Sequence, residues 1–246
     1  MTVTSPPKPE DATRLHTRLA KMSAADRVRW AFDAYGDGLV LTTSFGVQAA
    51  VMLHLVTRVR ADVPVVFVDT GYHFAETYRF ADELTERLGL NLKVAAADES
   101  PAWFEARRGK LWETDISGYN RRRKVEPMDR TLDGLNATAT LTGIRGGQTE
   151  TRAAMRHVEH QRGRAKVAPI LDWNNQTVHR YLTEHDLPYH PLRKQMYASV
   201  GDWHSTRPVT AGEDERAGRF GGLAAECGLH VPETAQENES LGSSGL

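Results

Sequence analysis

Short apolar runs at residues 39–43, 63–68, 90–95 and 139–143 are interleaved with helix-patterned stretches at 47–59 and 75–88, the second ended by Gly89. Strands separated by helices must return to the same end of a sheet, so they pair in parallel through right-handed crossovers. The expected fold is therefore α/β, a doubly wound and mostly parallel sheet. A further strand at 167–170 leads into Asp172-Trp173-Asn174, which opens a helix ending near Asp186, and Ser23 with Asp26 caps an amphipathic run through Tyr35. Residues 1–10 hold three prolines and no apolar stretch, and are expected to be disordered. Residues 11–230 are expected to form one domain and 231–246 a disordered polar tail.

Sheets of this kind bind ligands beyond the carboxyl ends of their strands. That rule selects three loops, at 42–48, 69–74 and 144–152. In the first, Ser44, Phe45, Gly46 and Gln48 open a helix, where outward N–H groups and the helix dipole can cradle an anion. The Walker GK[ST] element is missing, and a serine cap with a permissive glycine would use the same letters. The second loop offers Asp69, Thr70 and Gly71, suited to a ribose or a base edge, although an ordinary turn is also built this way. Two adjacent polar strand tips favour a nucleotide. The third brings Arg145 and Arg152, each able to clamp phosphate or sulfate at two points, and Lys124 and Arg207 add charge from elsewhere in the chain.

Charge is unevenly spread. The formal net charge of the 246 residues is -1, so no global field attracts nucleic acid or a membrane. Yet eleven Lys or Arg and only five acids lie between Arg121 and Lys166, while seven acids and two arginines follow from Glu213 onward. A cationic middle and an anionic end can attract one another. The longest apolar run, 63–68, is too short to cross a bilayer, and nothing at the start reads as a signal peptide, so a cytoplasmic location is expected. No metal site is expected either: His157 and His160 lack a partner at zinc spacing and read as surface histidines. No G-x-S-x-G elbow occurs.

Cys227 is the only cysteine. One thiol can form neither an internal disulfide nor a cysteine-based cluster, and if it reacts, another molecule must restore it. Most lone cysteines are inert core residues. Cys227, however, is followed by Gly228, by His230 as a proton acceptor, and by a segment too polar to bury anything, which points to an exposed thiol. The acidic first turn of 213–226 predicts a helix. Its negative end and Glu226 would raise the thiol pKa until the acidic tail docks on the basic site.

Six motifs taken in order resemble the phosphoadenylyl-sulfate (PAPS) reductases of assimilatory sulfate reduction. They are Thr43-Ser44-Phe45-Gly46-Val47-Gln48, Asp69-Thr70-Gly71-Tyr72, Glu76-Thr77-Tyr78-Arg79-Phe80, Lys124-Val125-Glu126-Pro127-Met128, Gly201-Asp202-Trp203-His204-Ser205-Thr206-Arg207 and Glu226-Cys227-Gly228-Leu229-His230. The resemblance implies an adenine nucleotide α-hydrolase-like fold, a dimer in several members, and a mobile C-terminal segment that carries the cysteine over the nucleotide. By the same resemblance Ser44, Gly46 and Gln48 would bind phosphate, Thr70 and Gly71 would lie near adenosine, and Lys124, Arg145, Arg152 and Arg207 would surround the phosphates and sulfate. Cys227 would be the nucleophile. Relatives that reduce adenylyl sulfate hold a four-iron cluster on paired cysteines; here those places read 120–123 and 202–205, without cysteine. That difference points to the 3′-phosphorylated substrate and to no bound cofactor.

The implied reaction runs from PAPS to sulfite and adenosine 3′,5′-bisphosphate through a sulfonated Cys227 that thioredoxin, or alternatively glutaredoxin, reduces. A cluster-free adenylyl-sulfate reductase and a nucleotide-binding redox sensor are the rival readings. A sensor would oxidise without releasing sulfite.

Overall fold

The structure, a computed structural model, describes residues 9–210, 212–213 and 216–220. Cys227, His230, residues 1–8 and the acidic tail lie outside the described residues. Six strands form one sheet in the order β3-β2-β1-β4-β6-β5: β1 is Leu39–Thr43, β2 Pro64–Asp69, β3 Asn91–Ala96, β4 Ala139–Leu141, β5 Val158–Gln161 and β6 Arg164–Val167. All neighbours are parallel except the β5–β6 hairpin.

Alternation along the strands assigns the two faces. Leu39 and Leu41 point to the larger core, where they meet Val28, Leu53, Leu84 and Leu182 from the helices Ala24–Tyr35, Ala50–Thr57, Ala75–Leu88 and Asn175–Glu184. Truncating a fully buried leucine such as Leu41 to alanine would cost about 2–5 kcal/mol. Val40 faces the other way, joining Val66, Val68 and Ala95 against Met128 and Leu132 of the Glu126–Gly134 helix. The same register sets Thr140 beside Val40 and Lys166 beside Thr140. This second face is thus apolar where the helix covers it and polar over β4 and β6.

Local chemistry explains the element ends. Ser23 Oγ accepts from Asp26 N at 3.1 Å, Asn174 Oδ1 accepts from Thr177 N at 2.8 Å, and Gly89 takes φ 61 to close the Ala75–Leu88 helix as expected. Other expectations need correction. The helix expected from residue 47 begins at Ala50, after a turn in which Ala49 N reaches Gly46 O. The strand expected at 167–170 ends at Val167, because Pro169 has no N–H to continue a ladder and the chain turns through Leu171 and Trp173. The helix Pro9–Ala20 starts inside the stretch expected to be disordered. Glu213 and residues 216–220 show turns and a bridge from Arg219 to Thr206 rather than a helix. There Glu213 is committed elsewhere, accepting from Thr210 N at 2.7 Å and from Arg207. Among the described residues no helix is long and apolar enough to cross a membrane.

Candidate active site

From β1 the chain crosses to β2 on one side of the sheet, while β4 lies on the other, so the strand order reverses between β1 and β4. A crevice must open there at the carboxyl ends. A cavity of about 280 Å³ occupies it, reached by Ser44, Gly46 and Gln48 after β1, Thr70 and His73 after β2, and Gly143, Arg145 and Arg152 after β4. Eight cationic side chains line it: Lys124, Arg145, Arg152, Arg162, Arg164, Lys166, Arg216 and Arg219. The only carboxylates among its lining residues are Asp129 and Asp202. An excess of six positive charges in a concave, partly dry space is a site for a multiply charged anion.

The loop after β1 is held from inside. Phe45 sits at φ 45, fully buried, with its ring edge-on to Phe67 at 5.1 Å, and its N–H reaches Thr43 Oγ1 at 3.1 Å. Phe45 therefore anchors the turn and does not face the cavity, contrary to its expected place among the binding residues. Gln48 faces inward but engages protein: its Oε1 accepts from Arg145 Nη2 at 2.7 Å.

Two cations are set by one loop. Arg145 is buried and donates from Nη1 to Asn175 Oδ1 at 2.8 Å, in the first turn of the Asn175–Glu184 helix. Gln148 Oε1 accepts from Arg145 N at 3.2 Å and from Arg152 Nη1 at 2.5 Å. These bonds fix the guanidinium planes before any ligand arrives, which lowers the ordering cost of binding.

Lys124 reaches the cavity from a π-helical turn, Arg121–Val125. The wider turn rotates its side chain inward, a recurrent use of such turns at functional sites. Its Nζ pairs with Asp202 at 2.7 Å. Asp202, fully buried, also accepts from Thr70 Oγ1 at 2.5 Å and Tyr119 OH at 3.0 Å. Burial pushes this carboxyl up, but the charge of Lys124, His73 nearby and the hydrogen bonds outweigh it and hold the group well below the usual carboxylate range. Because Tyr119 spends its proton on Asp202, His204 must donate Nε2–H to the Tyr119 oxygen, 3.0 Å away. His204 stacks on Trp112 at 4.0 Å, and burial lowers its pKa to about 4, with Lys124 and Arg219 adding to the effect against Asp202.

The remaining expectations divide. Asp69 accepts from Gly71 N and from Tyr78 OH, each at 2.7 Å, and Gly71, at φ 74, packs against Pro101; neither lines the cavity. Arg207 is 49% exposed and paired with Glu213 at 3.0 Å, away from the cavity. Its expected place is filled by Arg219, which is buried, and by Arg216. The spacing Arg216-x-x-Arg219 was the available signal. Arg123 also escaped sequence reasoning: buried beside Lys124, it donates Nε to Thr70 O at 3.0 Å and Nη1 to Glu99 O at 2.7 Å, locking the tip of β2. His157 is buried rather than superficial, its Nδ1 donating to Ala168 O at 2.8 Å. Among the described residues no group of His, Cys, Asp and Glu is arranged to hold a metal ion.

Comparison with known proteins gives a consistent set of matches. A family model described as phosphoadenosine phosphosulfate reductase domain matches residues 38–208. A phosphoadenosine 5′-phosphosulfate reductase from Synechococcus sp. is 54% identical over 224 residues, covering 89% of this chain and 97% of that protein. The crystal structure of a phosphoadenylyl-sulfate reductase from Candida auris, a phosphate complex, superposes with a TM-score of 0.74 at 30% identity over 83% of this chain and all of the other. An FMN adenylyltransferase from Candida glabrata shares the fold, with a TM-score of 0.58 at 14% identity over 98% of this chain and 84% of its own.

Proposed function

The chain belongs to the phosphoadenosine phosphosulfate reductase family, and we propose that it reduces PAPS to sulfite in sulfate assimilation by way of a sulfonated Cys227. The observation that carries this reading is the convergence of eight cations on the crevice between β1 and β4. PAPS brings roughly four negative charges once its second phosphate is counted. A thiolate attacking its sulfur would be repelled in water. Lys124 and Arg219 offset that repulsion and stabilise charge on the departing phosphate, usually the largest catalytic contribution available.

In the proposed sequence the Cys227 thiolate forms an S–S bond to the sulfonate sulfur as the S–O bond to phosphate breaks, and adenosine 3′,5′-bisphosphate leaves with that electron pair. A thioredoxin thiolate next attacks Cys227 Sγ and expels sulfite; its second thiol then resolves the mixed disulfide, leaving thioredoxin oxidised and Cys227 reduced. Phe220, whose ring lies 5.3 Å from Lys124 Nζ, precedes Cys227 by seven residues. Seven residues span at most about 25 Å, enough to bring the thiol to the cavity. Thr70, Gly46, Ser44 and Gly143 are the proposed nucleotide contacts, with Gln48 acting through Arg145. Glutaredoxin is the alternative electron donor.

Purified protein mixed with PAPS should gain the mass of one SO3 on Cys227, and reduced thioredoxin should then release sulfite. Cys227→Ser should lose both events and retain affinity for adenosine 3′,5′-bisphosphate. An unchanged intact mass and no sulfite from the wild-type protein would overturn the proposal.

A further inference from the structure

The β5–β6 hairpin carries positive charge into the cavity on a surface where a sheet ordinarily carries apolar residues. Register pairs Gln161 with Arg164 across the hairpin and Thr140 with Lys166 along β4, so these four side chains share the face that bears Val40. Over β1 and β2 that face is covered by Met128 and Leu132; over β4 and β6 it forms a wall of the cavity. Lys166 is only 7% exposed there, and its Nζ donates to Gln161 Oε1 at 3.1 Å. A buried ammonium on a sheet face is costly unless an anion compensates it.

Arg162 reaches the same wall from the turn. With Gly163 it forms a two-residue hairpin loop in which both residues have positive φ, 51 and 71. The first position of such a turn favours Asn, Asp or Gly, and an arginine there sits in a disfavoured backbone state. Arg164 is already neutralised by Asp133, and Asp129 lies 3.7 Å from Arg164 and 4.0 Å from Arg162. Three cations against one carboxylate in the cavity lining still leave this wall positive.

We infer that Arg162 and Lys166 form a second anion subsite, which takes the 3′-phosphate of the nucleotide while Lys124 and Arg219 hold the 5′-phosphosulfate. The inference rests on the PAPS reading above. The two anionic groups stand on different ribose carbons and need separate cations. Since Phe220, seven residues ahead of Cys227, packs against Lys124, the reacting end belongs at Lys124 and the opposite end at the hairpin. This arrangement makes Arg162 and Lys166 determinants of selectivity over adenylyl sulfate, which lacks the 3′-phosphate.

The test is calorimetric titration of the full chain with adenosine 3′,5′-bisphosphate and with 5′-AMP. Arg162→Asn removes the charge while suiting the left-handed turn, and Lys166→Met keeps the apolar stem. Each variant should weaken the bisphosphate about tenfold or more and 5′-AMP less than about twofold, with KM for PAPS rising in parallel. Equal losses for both nucleotides, or no loss, would overturn the subsite and leave the function standing. A wild-type protein that binds neither nucleotide and releases no sulfite from PAPS would remove the function, and the subsite with it.

Discussion

Lys124 Nζ lies 2.7 Å from Asp202 Oδ2, with the two side chains 7% and 0% exposed. The lysine that serves the anion site is thus oriented by a carboxylate on a distant segment, the one that also receives Thr70 and Tyr119. One buried acid ties the tip of β2, the π-helical turn and the 201–207 segment together.

Removing that acid should be expensive. Asp202→Asn leaves a buried ammonium without its counter-charge, which costs about 3–5 kcal/mol in comparable cases, and urea unfolding should show it. The folded carboxyl titrates below its ordinary value, so its contribution is complete above the unfolded pKa of about 3.9 and fades as pH falls below it. The variant should accordingly lose less stability than the wild type on acidification below about pH 4. Equal stabilities at pH 7 would refute the coupling.

A second prediction concerns Gly201. A Cβ there would meet Arg219 Nη1 at 1.8 Å and Cζ at 2.3 Å, so the guanidinium lies directly against the glycine backbone. Gly201→Ala must displace the end of a long side chain, which costs little stability but moves a cation out of the cavity. Arg219→Ala should lower kcat/KM about 10²–10³-fold, the range seen when one preorganised transition-state donor is lost. Gly201→Ala should fall between that variant and wild type, with unfolding midpoints nearly unchanged. Wild-type kinetics in both would exclude Arg219 from the chemistry.

His204 supplies a pH dependence. Its pKa is pushed down to about 4 by burial, with Lys124 and Arg219 contributing in the same sense. A histidine held neutral in the fold stabilises fully above its unfolded value near 6.5, and this stabilisation is lost as pH falls from there through about 4. Protonation would also add a third cation beside Lys124 and Arg219. Melting temperature should therefore decline between those limits, and His204→Gln should flatten the decline. An NMR titration of His204 centred near 6.5 would contradict this account.

The legible and illegible parts of this fold differ in physical kind. β1 and β2 were readable because strands buried on both faces are continuous apolar runs, and the Ala75–Leu88 helix because Gly89 marks its end. The β5–β6 hairpin was not, since Glu159, His160, Arg164 and Lys166 replace the apolar alternation with charge on the cavity face. In the site, Ser44, Gly46, Gln48, Thr70, Lys124, Arg145 and Arg152 reach the cavity that their motifs suggested. Asp69, Gly71, Phe45 and Arg207 do not, because a motif marks a loop and cannot say which of its side chains turn toward the core. Phe45 and Gly71 shape their loops through positive φ, and Arg207 is claimed by Glu213.

Gln148 is the most economical point at which to separate anchoring from charge. Its single Oε1 receives both Arg145 N and Arg152 Nη1, while Arg145 retains Gln48 and Asn175 as further acceptors. Gln148→Ala should therefore cost no more than about 1–2 kcal/mol of stability and lower kcat/KM by roughly tenfold through loosened guanidinium planes. Gln148→Glu keeps an acceptor in the same place and pairs more strongly with Arg152, so anchoring alone would predict full activity. It also adds negative charge beside the site of an anionic substrate, where the low local dielectric magnifies repulsion. The expected order is wild type, then Ala, then Glu, with the gap between Ala and Glu narrowing as salt screens the field. Activity of the Glu variant at the wild-type level would assign Gln148 to positioning and remove net cavity charge as the dominant influence at this loop.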